Sequence, residues 1–224
     1  MNKPIFLPVN MTRKKVLPKF PDSYIGEAAD EYDNLKWMER NQKKTALRCI
    51  EYLHDEKLGK IDIPYEDRCY ILDLGCGTGY SSEVLIENGF KVVGVDILDD
   101  MISIARKKKK ESDLVYLNLM LADINNLPFR NNTFNNAISI SAYNFITHGL
   151  TNQNEKELLI NNTARDLHEI LKKNGRLIIE FYPQNDTELN LYSSSFTKNG
   201  FKGFLLKENL NQKSGQTFLL LRKF

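Results

Sequence analysis

Residues 71–79 read Ile-Leu-Asp-Leu-Gly-Cys-Gly-Thr-Gly. An apolar strand runs directly into glycines at 75, 77 and 79, and a helix-forming stretch, Tyr80 to Asn88, follows at once. Strand, glycine turn and helix in that order carry backbone close to a nucleotide-like ligand at the strand's end. The spacing narrows the choice. A dinucleotide-binding turn reads G-x-G-x-x-G, its third glycine packing helix against strand, whereas position 80 here is Tyr. No Gly-Lys-Ser or Gly-Lys-Thr follows, which excludes a triphosphate loop. The pattern suits a ligand that needs no anion site, with the backbone at Gly75 and Gly77 passing close to it and Asp73 facing a cationic group.

From Cys69 onward short apolar runs alternate with longer helical stretches, the signature of a parallel sheet with crossover helices. Strands are expected at 69–74, 90–95, 115–122, 135–141, 175–182, 201–207 and 216–222. The last two are joined by a short polar stretch ending Lys213-Ser214-Gly215, too short for a crossover helix, so they pair antiparallel. Ahead of the sheet, Gly26 to Asn34 and Glu39 to His54 read as helices, the second setting Thr45, Ala46, Cys49, Ile50 and Leu53 on one face. The expected architecture is α/β: a seven-stranded, mostly parallel sheet with one antiparallel strand, helices on both faces, and an N-terminal helical cap at 21–60 before a core at 69–224.

A chain of 224 residues suffices for one such domain, which buries roughly 70% of its unfolded surface. A hydrophobic fraction of 42%, a charged fraction of 27% and the lack of any long apolar run indicate a soluble protein without a membrane span. Three prolines and five basic residues in the first 20 positions speak against a signal peptide. Cys49, Cys69 and Cys76 are odd in number and lack C-x-x-C spacing, which argues against a disulfide framework or a zinc site and suits a reducing cytoplasm. His54, His148 and His168 share no metal spacing, so no metal is expected. The net charge of +2 is uneven: residues 1–20 carry Lys3, Arg13, Lys14, Lys15 and Lys19 and no acid. Such an arm either neutralises phosphates or is a solvated terminus. The basic run Arg106 to Lys110 closes a helix, where cations suit the dipole, and reads as a solvated end.

Two further carboxylates fall at strand ends. Asp96 ends the second strand, 17 residues beyond Gly79, where an acidic side chain can accept both hydroxyls of a ribose. Asp123 ends the third, followed by Ile124. Met101 opens the helix after Asp96 and is available to pack on a ribose or adenine. A nucleoside bearing a cationic sulfonium, S-adenosylmethionine, satisfies this set, and residues 71–79 resemble motif I of the class I methyltransferases. That resemblance implies the fold above and places Asp123 on the adenine amine with an apolar contact on the ring. The acceptor is decided after the fourth strand, which runs into Ala142-Tyr143-Asn144-Phe145. It lacks the [DNS]-P-P-[FY] sequence that holds an exocyclic amine, and no cysteine follows the fourth or fifth strand to attack a pyrimidine. What remains suits an acceptor with its own lone pair, such as a guanine ring nitrogen, held by aromatic stacking.

Glu27-Ala28 with Tyr32, Gln42 to Arg48, Ile138-Ser139-Ile140-Ser141-Ala142 and Phe181-Tyr182-Pro183-Gln184-Asn185-Asp186 together resemble the eukaryotic 18S ribosomal RNA guanine-N7 methyltransferases over about residues 20–222. The resemblance implies cofactor contacts at Asp73, Gly75, Cys76, Gly77, Gly79, Asp96, Ile97, Met101, Asp123, Ile124 and Ser139, with Tyr32 folding over from the cap. It implies that Tyr143, Asn144, Phe181, Tyr182 and Pro183 face the base, although Asn144-Phe145 stands where the family commonly shows Gln-Trp. It also implies ribosomal RNA as substrate and a small zinc-binding activator protein as partner. An apolar third strand at 115–122, without the charge, proline or bulge that usually guards a sheet edge, is the expected docking site. Two other readings share the cofactor motifs: a small-molecule methyltransferase, and a non-catalytic assembly factor that retains the fold.

Overall fold

The computed structural model describes residues 19–59, 69–183, 185–208 and 216–224. Seven strands form one sheet: β1 (Tyr70–Leu74), β2 (Lys91–Asp96), β3 (Leu117–Leu121), β4 (Phe134–Ile140), β5 (Leu171–Phe181), β6 (Phe201–Lys207) and β7 (Thr217–Lys223). Their order is β3-β2-β1-β4-β5-β7-β6. Strands β1 to β5 pair in parallel with their neighbours, and β7 runs antiparallel to both β5 and β6. The one reversed strand expected from the sequence is β7.

Among the described residues six α-helices accompany the sheet: α1 (Glu27–Asp33), α2 (Lys36–Leu53), α3 (Tyr80–Glu87), α4 (Asp99–Glu111), α5 (Gln153–Ile170) and α6 (Asp186–Lys198). The central strands are apolar at successive positions because both faces are covered. Successive side chains point to opposite faces, and the two hydrophobic clusters divide accordingly. Leu219 and Leu221 join α5 and α6, whereas Phe218 and Leu220 join α2 and α3. Helix starts follow local chemistry: the Asn152 side chain accepts from the amides of Asn154 and Glu155, and Asn185 accepts from Glu188. α4 opens on Asp99 and Asp100 and closes on Lys108 to Lys110, charges that suit its dipole.

Three elements begin two or more residues away from expectation. α2 begins at Lys36, three residues early. β5 begins at Leu171: a shift of register between Phe134 and Asn136 admits the turn-like Lys172 to Gly175, with Asn174 at φ +64°. β3 begins only at Leu117, because a tight turn in which Val115 N–H donates to Asp113 (2.8 Å) and Leu117 N–H to Leu114 (3.1 Å) leaves Val115 and Tyr116 exposed. The N-terminal arm through residue 18 and the turn ending Lys213-Ser214-Gly215 lie outside the described residues. Among the described residues no helix is long and apolar enough to cross a membrane. The strand order reverses between β1 and β4, which opens a crevice at their carboxyl ends.

Candidate active site

The loop after β1 forms the floor of this crevice. The amides of Gly75 and Cys76 both donate to the Val95 carbonyl, at 2.8 and 2.9 Å, binding the loop to β2. Gly75 (φ +72°) is required by the protein itself: a Cβ there would stand 2.2 Å from the Ala142 Cβ. Gly77 (φ +53°) is different, since a Cβ there would meet nothing within 4 Å. Of the two glycines expected to approach a ligand, only Gly77 faces open space. Gly79 is the N-cap residue of α3. The Cys76 side chain turns away into the core against Gly94, so only its backbone belongs to the crevice.

Asp73 is 1% exposed. Its Oδ2 accepts from the hydroxyls of Ser81 (2.6 Å) and Ser82 (2.7 Å), whereas Oδ1 has no partner. Burial pushes its pKa up to about 6, although the two serine bonds favour the ionised form. Asp96 is fixed by backbone: Oδ2 accepts from Gly77 N–H (2.9 Å) and Oδ1 from Leu98 N–H (3.0 Å). Burial raises its pKa also, against those bonds. Beside it Ile97 is half exposed. Asp123, whose Oδ1 accepts from Asn125 N–H (2.9 Å), and Ile124 are partly buried at the end of β3.

The cap covers this end. Gly26 N–H donates to Asp100 (3.0 Å), and Met101 is buried with Ala29 and Tyr32. Met101 therefore supports the cap from beneath and presents no open surface. Tyr24 and Tyr32 lie 4.9 Å apart between ring centres, and burial, then the charge of Asp96, raises the Tyr24 pKa. Burial likewise holds the Tyr32 hydroxyl well above the usual tyrosine range. Phe20, expected to end a flexible arm, stacks on Phe145 at 4.7 Å and meets His148 edge-on at 5.0 Å. Lys108 is not a solvated helix end: it pairs with Asp33, approaches Thr78 Oγ1 (3.3 Å) and sits 3.4 Å above the centre of the Tyr80 ring. The Tyr80 hydroxyl donates to the Asp33 carbonyl (2.6 Å), so α1, α3 and α4 are tied together.

At the other end, the 3₁₀ turn Tyr143–Thr147, α5, the chain after β5 and α6 line an open cavity of about 680 Å³. Ser141, Asn144, Phe145, His148, Lys156 and Tyr182 are among its lining residues. Tyr182 is 47% exposed and is held at three points. Asn144 donates to its carbonyl and accepts from its N–H, both at 3.0 Å, and its hydroxyl donates to Glu180 Oε1 at 2.7 Å. Glu180 is itself buried, accepting from Ser141 Oγ (2.7 Å) and from Gln216, which also donates to Thr45 (2.8 Å). Pro183 is partly buried beside Tyr182.

Three expected contacts are corrected. Tyr143 (0% exposed) and Phe181 (1%) do not face the cavity; they pack on Tyr192, and Tyr143 also on Phe196, within the core. Ser139 is fully buried between strands, its hydroxyl donating to the Leu74 carbonyl (3.0 Å). Ser139 and Phe181 lie on buried strands, which direct every side chain into a packed layer, and Tyr143, in the 3₁₀ turn after β4, points inward against Tyr192 and Phe196 of α6. Sequence reading passed over Glu180, although a lone acid inside Leu177-Ile178-Ile179-Glu180-Phe181 is the type of residue rarely buried without a partner.

Comparison with known proteins adds the following. The methyltransferase domain family matches residues 71–175. The chain is 30% identical over 205 residues to the 18S rRNA (guanine(1575)-N(7))-methyltransferase of Saccharomyces cerevisiae, covering 91% of this chain and 69% of that one. It is 30% identical over 159 residues to the 18S rRNA (guanine-N(7))-methyltransferase of Bos taurus, covering 70% of this chain but only 55% of the bovine protein. The fold resembles magnesium protoporphyrin IX methyltransferase from Synechocystis PCC 6803, solved with bound SAM, at TM-score 0.63 and 19% identity over 91% of this chain and 94% of that one.

Proposed function

Because this chain is an S-adenosylmethionine-dependent methyltransferase of the 18S rRNA (guanine-N7)-methyltransferase family, we propose that its acceptor is N7 of a guanine in small-subunit ribosomal RNA. The residues present suit the cofactor. The unpartnered Oδ1 of Asp73 is a buried anion awaiting a cation, which the amino group of a methionine moiety supplies. Asp96 is held by two amides with lone pairs remaining for ribose hydroxyls, Gly77 leaves open space above the loop, and Ile97 and Ile124 offer apolar surface for a purine ring. Bound there, S-adenosylmethionine supplies an electrophilic methyl on sulfur. The protein's own task is to bind, aim and exclude water. Guanine N7 carries a lone pair and no proton, so no general base is needed, and the cavity beside Tyr182 serves to hold the ring. Tyr182 itself carries this reading: a half-exposed aromatic fixed at the junction of crevice and cavity. Lys156 and His148 line the same cavity and give it cationic and polar character suited to a nucleic-acid backbone.

The same proposal includes a cytoplasmic location and a small zinc-binding activator on β3. Leu121 on β3 is exposed, as are Val115 and Tyr116 in the turn that leads into it, which supports docking at that edge. Leu121→Lys should then weaken the complex more than the fold, as read by co-purification and melting temperature; unchanged co-purification would remove the partner from β3. The acceptor is tested by mass spectrometry of small-subunit RNA from cells with and without the protein. Loss of one 7-methylguanine, restored by the gene, is expected; an unaltered nucleoside profile would overturn the assignment.

A further inference from the structure

Tyr182 is immobilised to a degree that packing alone does not require. Its ring is half exposed, yet its hydroxyl is anchored to the buried carboxylate of Glu180, and its backbone N–H and C=O are both taken by one side chain, Asn144. The anchor is itself anchored: Glu180 is held by Ser141, which adopts φ +55°, and by Gln216, which reaches on to Thr45 in α2. Ser141 and Asn144 follow β4, Glu180 is near the end of β5 with Tyr182 one residue beyond it, and Gln216 precedes β7. Three separate chain segments therefore converge on one exposed ring. A ring that only filled space would need none of this, whereas a planar wall that must fix the angle of a substrate needs both of its ends held.

We propose that Asn144 and Glu180 are positioning residues, which act through Tyr182 by holding its ring as a fixed wall of the acceptor cavity. This rests on the methyl-acceptor reading above and reassigns Asn144. Both polar atoms of its amide are engaged with the Tyr182 backbone, so its part is to aim the wall. Glu180 fixes the position of the hydroxyl, and with it the direction of the ring's long axis. A planar acceptor stacked on that wall presents one edge to the donor end of the crevice, and a wall free to swing loses the in-line approach.

A double-mutant cycle separates this role from a structural one. Asn144→Ala should lower single-turnover methyl transfer to small-subunit RNA by about a hundredfold, the scale of a misplaced reactant, with cofactor affinity unchanged. In a Tyr182→Ala background, where no ring remains to be aimed, the same change should cost almost nothing further. Glu180→Leu, which removes the acceptor for the Tyr182 hydroxyl, should reproduce the pattern and serves if Asn144→Ala does not fold. Additive losses, or no loss, would overturn the proposal. A fluorine label on the Tyr182 ring supplies a readout independent of the acceptor: one narrow resonance in the wild type, broadened or split in Asn144→Ala. A wild type that makes no 7-methylguanine but keeps the narrow resonance would overturn the acceptor reading alone; a ring equally mobile in both proteins would overturn the clamp.

Discussion

The donor and acceptor ends of the crevice are built by different means. At the donor end, fixed backbone does the placing: Gly77 and Leu98 amides hold Asp96, and the Val95 carbonyl holds the glycine loop. At the acceptor end, side chains reach between segments far apart in the chain, Asn144 to Tyr182 and Gln216 to Glu180. A site set by the ends of a rigid sheet binds a constant ligand, and one set by exchangeable side chains can be retuned for different acceptors. The expected consequence is separability: changes at one end cost cofactor affinity, and changes at the other cost transfer with affinity intact.

The hardest test of that division is Asp96→Ala. The substitution removes the acceptor for two amides as well as for the ribose hydroxyls. Cofactor affinity should fall by about 3 kcal/mol or more, over a hundredfold, because charge-assisted bonds are lost on both sides. Titration calorimetry checks it, with circular dichroism confirming the fold. Affinity within threefold of wild type would mean that the strand end does not carry the donor site.

Asp73→Asn sharpens the comparison by setting function against stability. With its pKa lifted from 3.8 to about 6 by burial, Asp73 binds its proton more tightly in the folded state. Its contribution to stability is therefore fully present below the unfolded value near 3.8 and is lost as pH rises through about 6. At pH 8 the ionised group is a burden, and the neutral amide should make the cofactor-free protein more stable by about 3 kcal/mol. The difference should close toward pH 4. Cofactor affinity should move oppositely, falling on substitution and, in the wild type, falling as pH drops below about 6. Urea melts at both pH values decide the first point; a variant less stable at pH 8 would show that the serine bonds outweigh desolvation.

What the sequence disclosed follows the same division. The alternation of apolar runs and helices, the glycine loop and three strand-end carboxylates are local patterns, and the sheet order and the places of Asp73 and Asp96 were legible from them. The start of β5 was not, because Lys172 to Gly175 reads as a turn and becomes strand only through its pairing with β4. Nor was the clamp on Tyr182, since it joins residues 38 positions apart by side-chain bonds that leave no periodic trace. Tyr143 and Phe181 share one error: both neighbour the site in sequence, yet Phe181 faces a packed layer by strand alternation and Tyr143 turns inward against α6 from the 3₁₀ turn.

The smallest expected effect concerns the hinge between cap and core. Lys108 pairs with Asp33 of α1 while lying over the Tyr80 ring of α3, with about a quarter of its side chain exposed. Lys108→Met retains a stem to cover the ring and removes only the ammonium. A partly buried pair of this kind lies between exposed pairs, which contribute little, and fully buried ones, whose rupture strands a charge; about 1 kcal/mol of stability is the expected loss. The cap carries Tyr24 and Tyr32 over the Asp96 end, so the change should also speed cofactor release by less than tenfold, leaving the association rate nearly constant. Stopped-flow measurement of both rates checks this. A loss of affinity equal to that of Asp96→Ala would move the seat of cofactor binding from the strand ends to the cap, and the donor end would then depend, as the acceptor end does, on side chains reaching between distant segments.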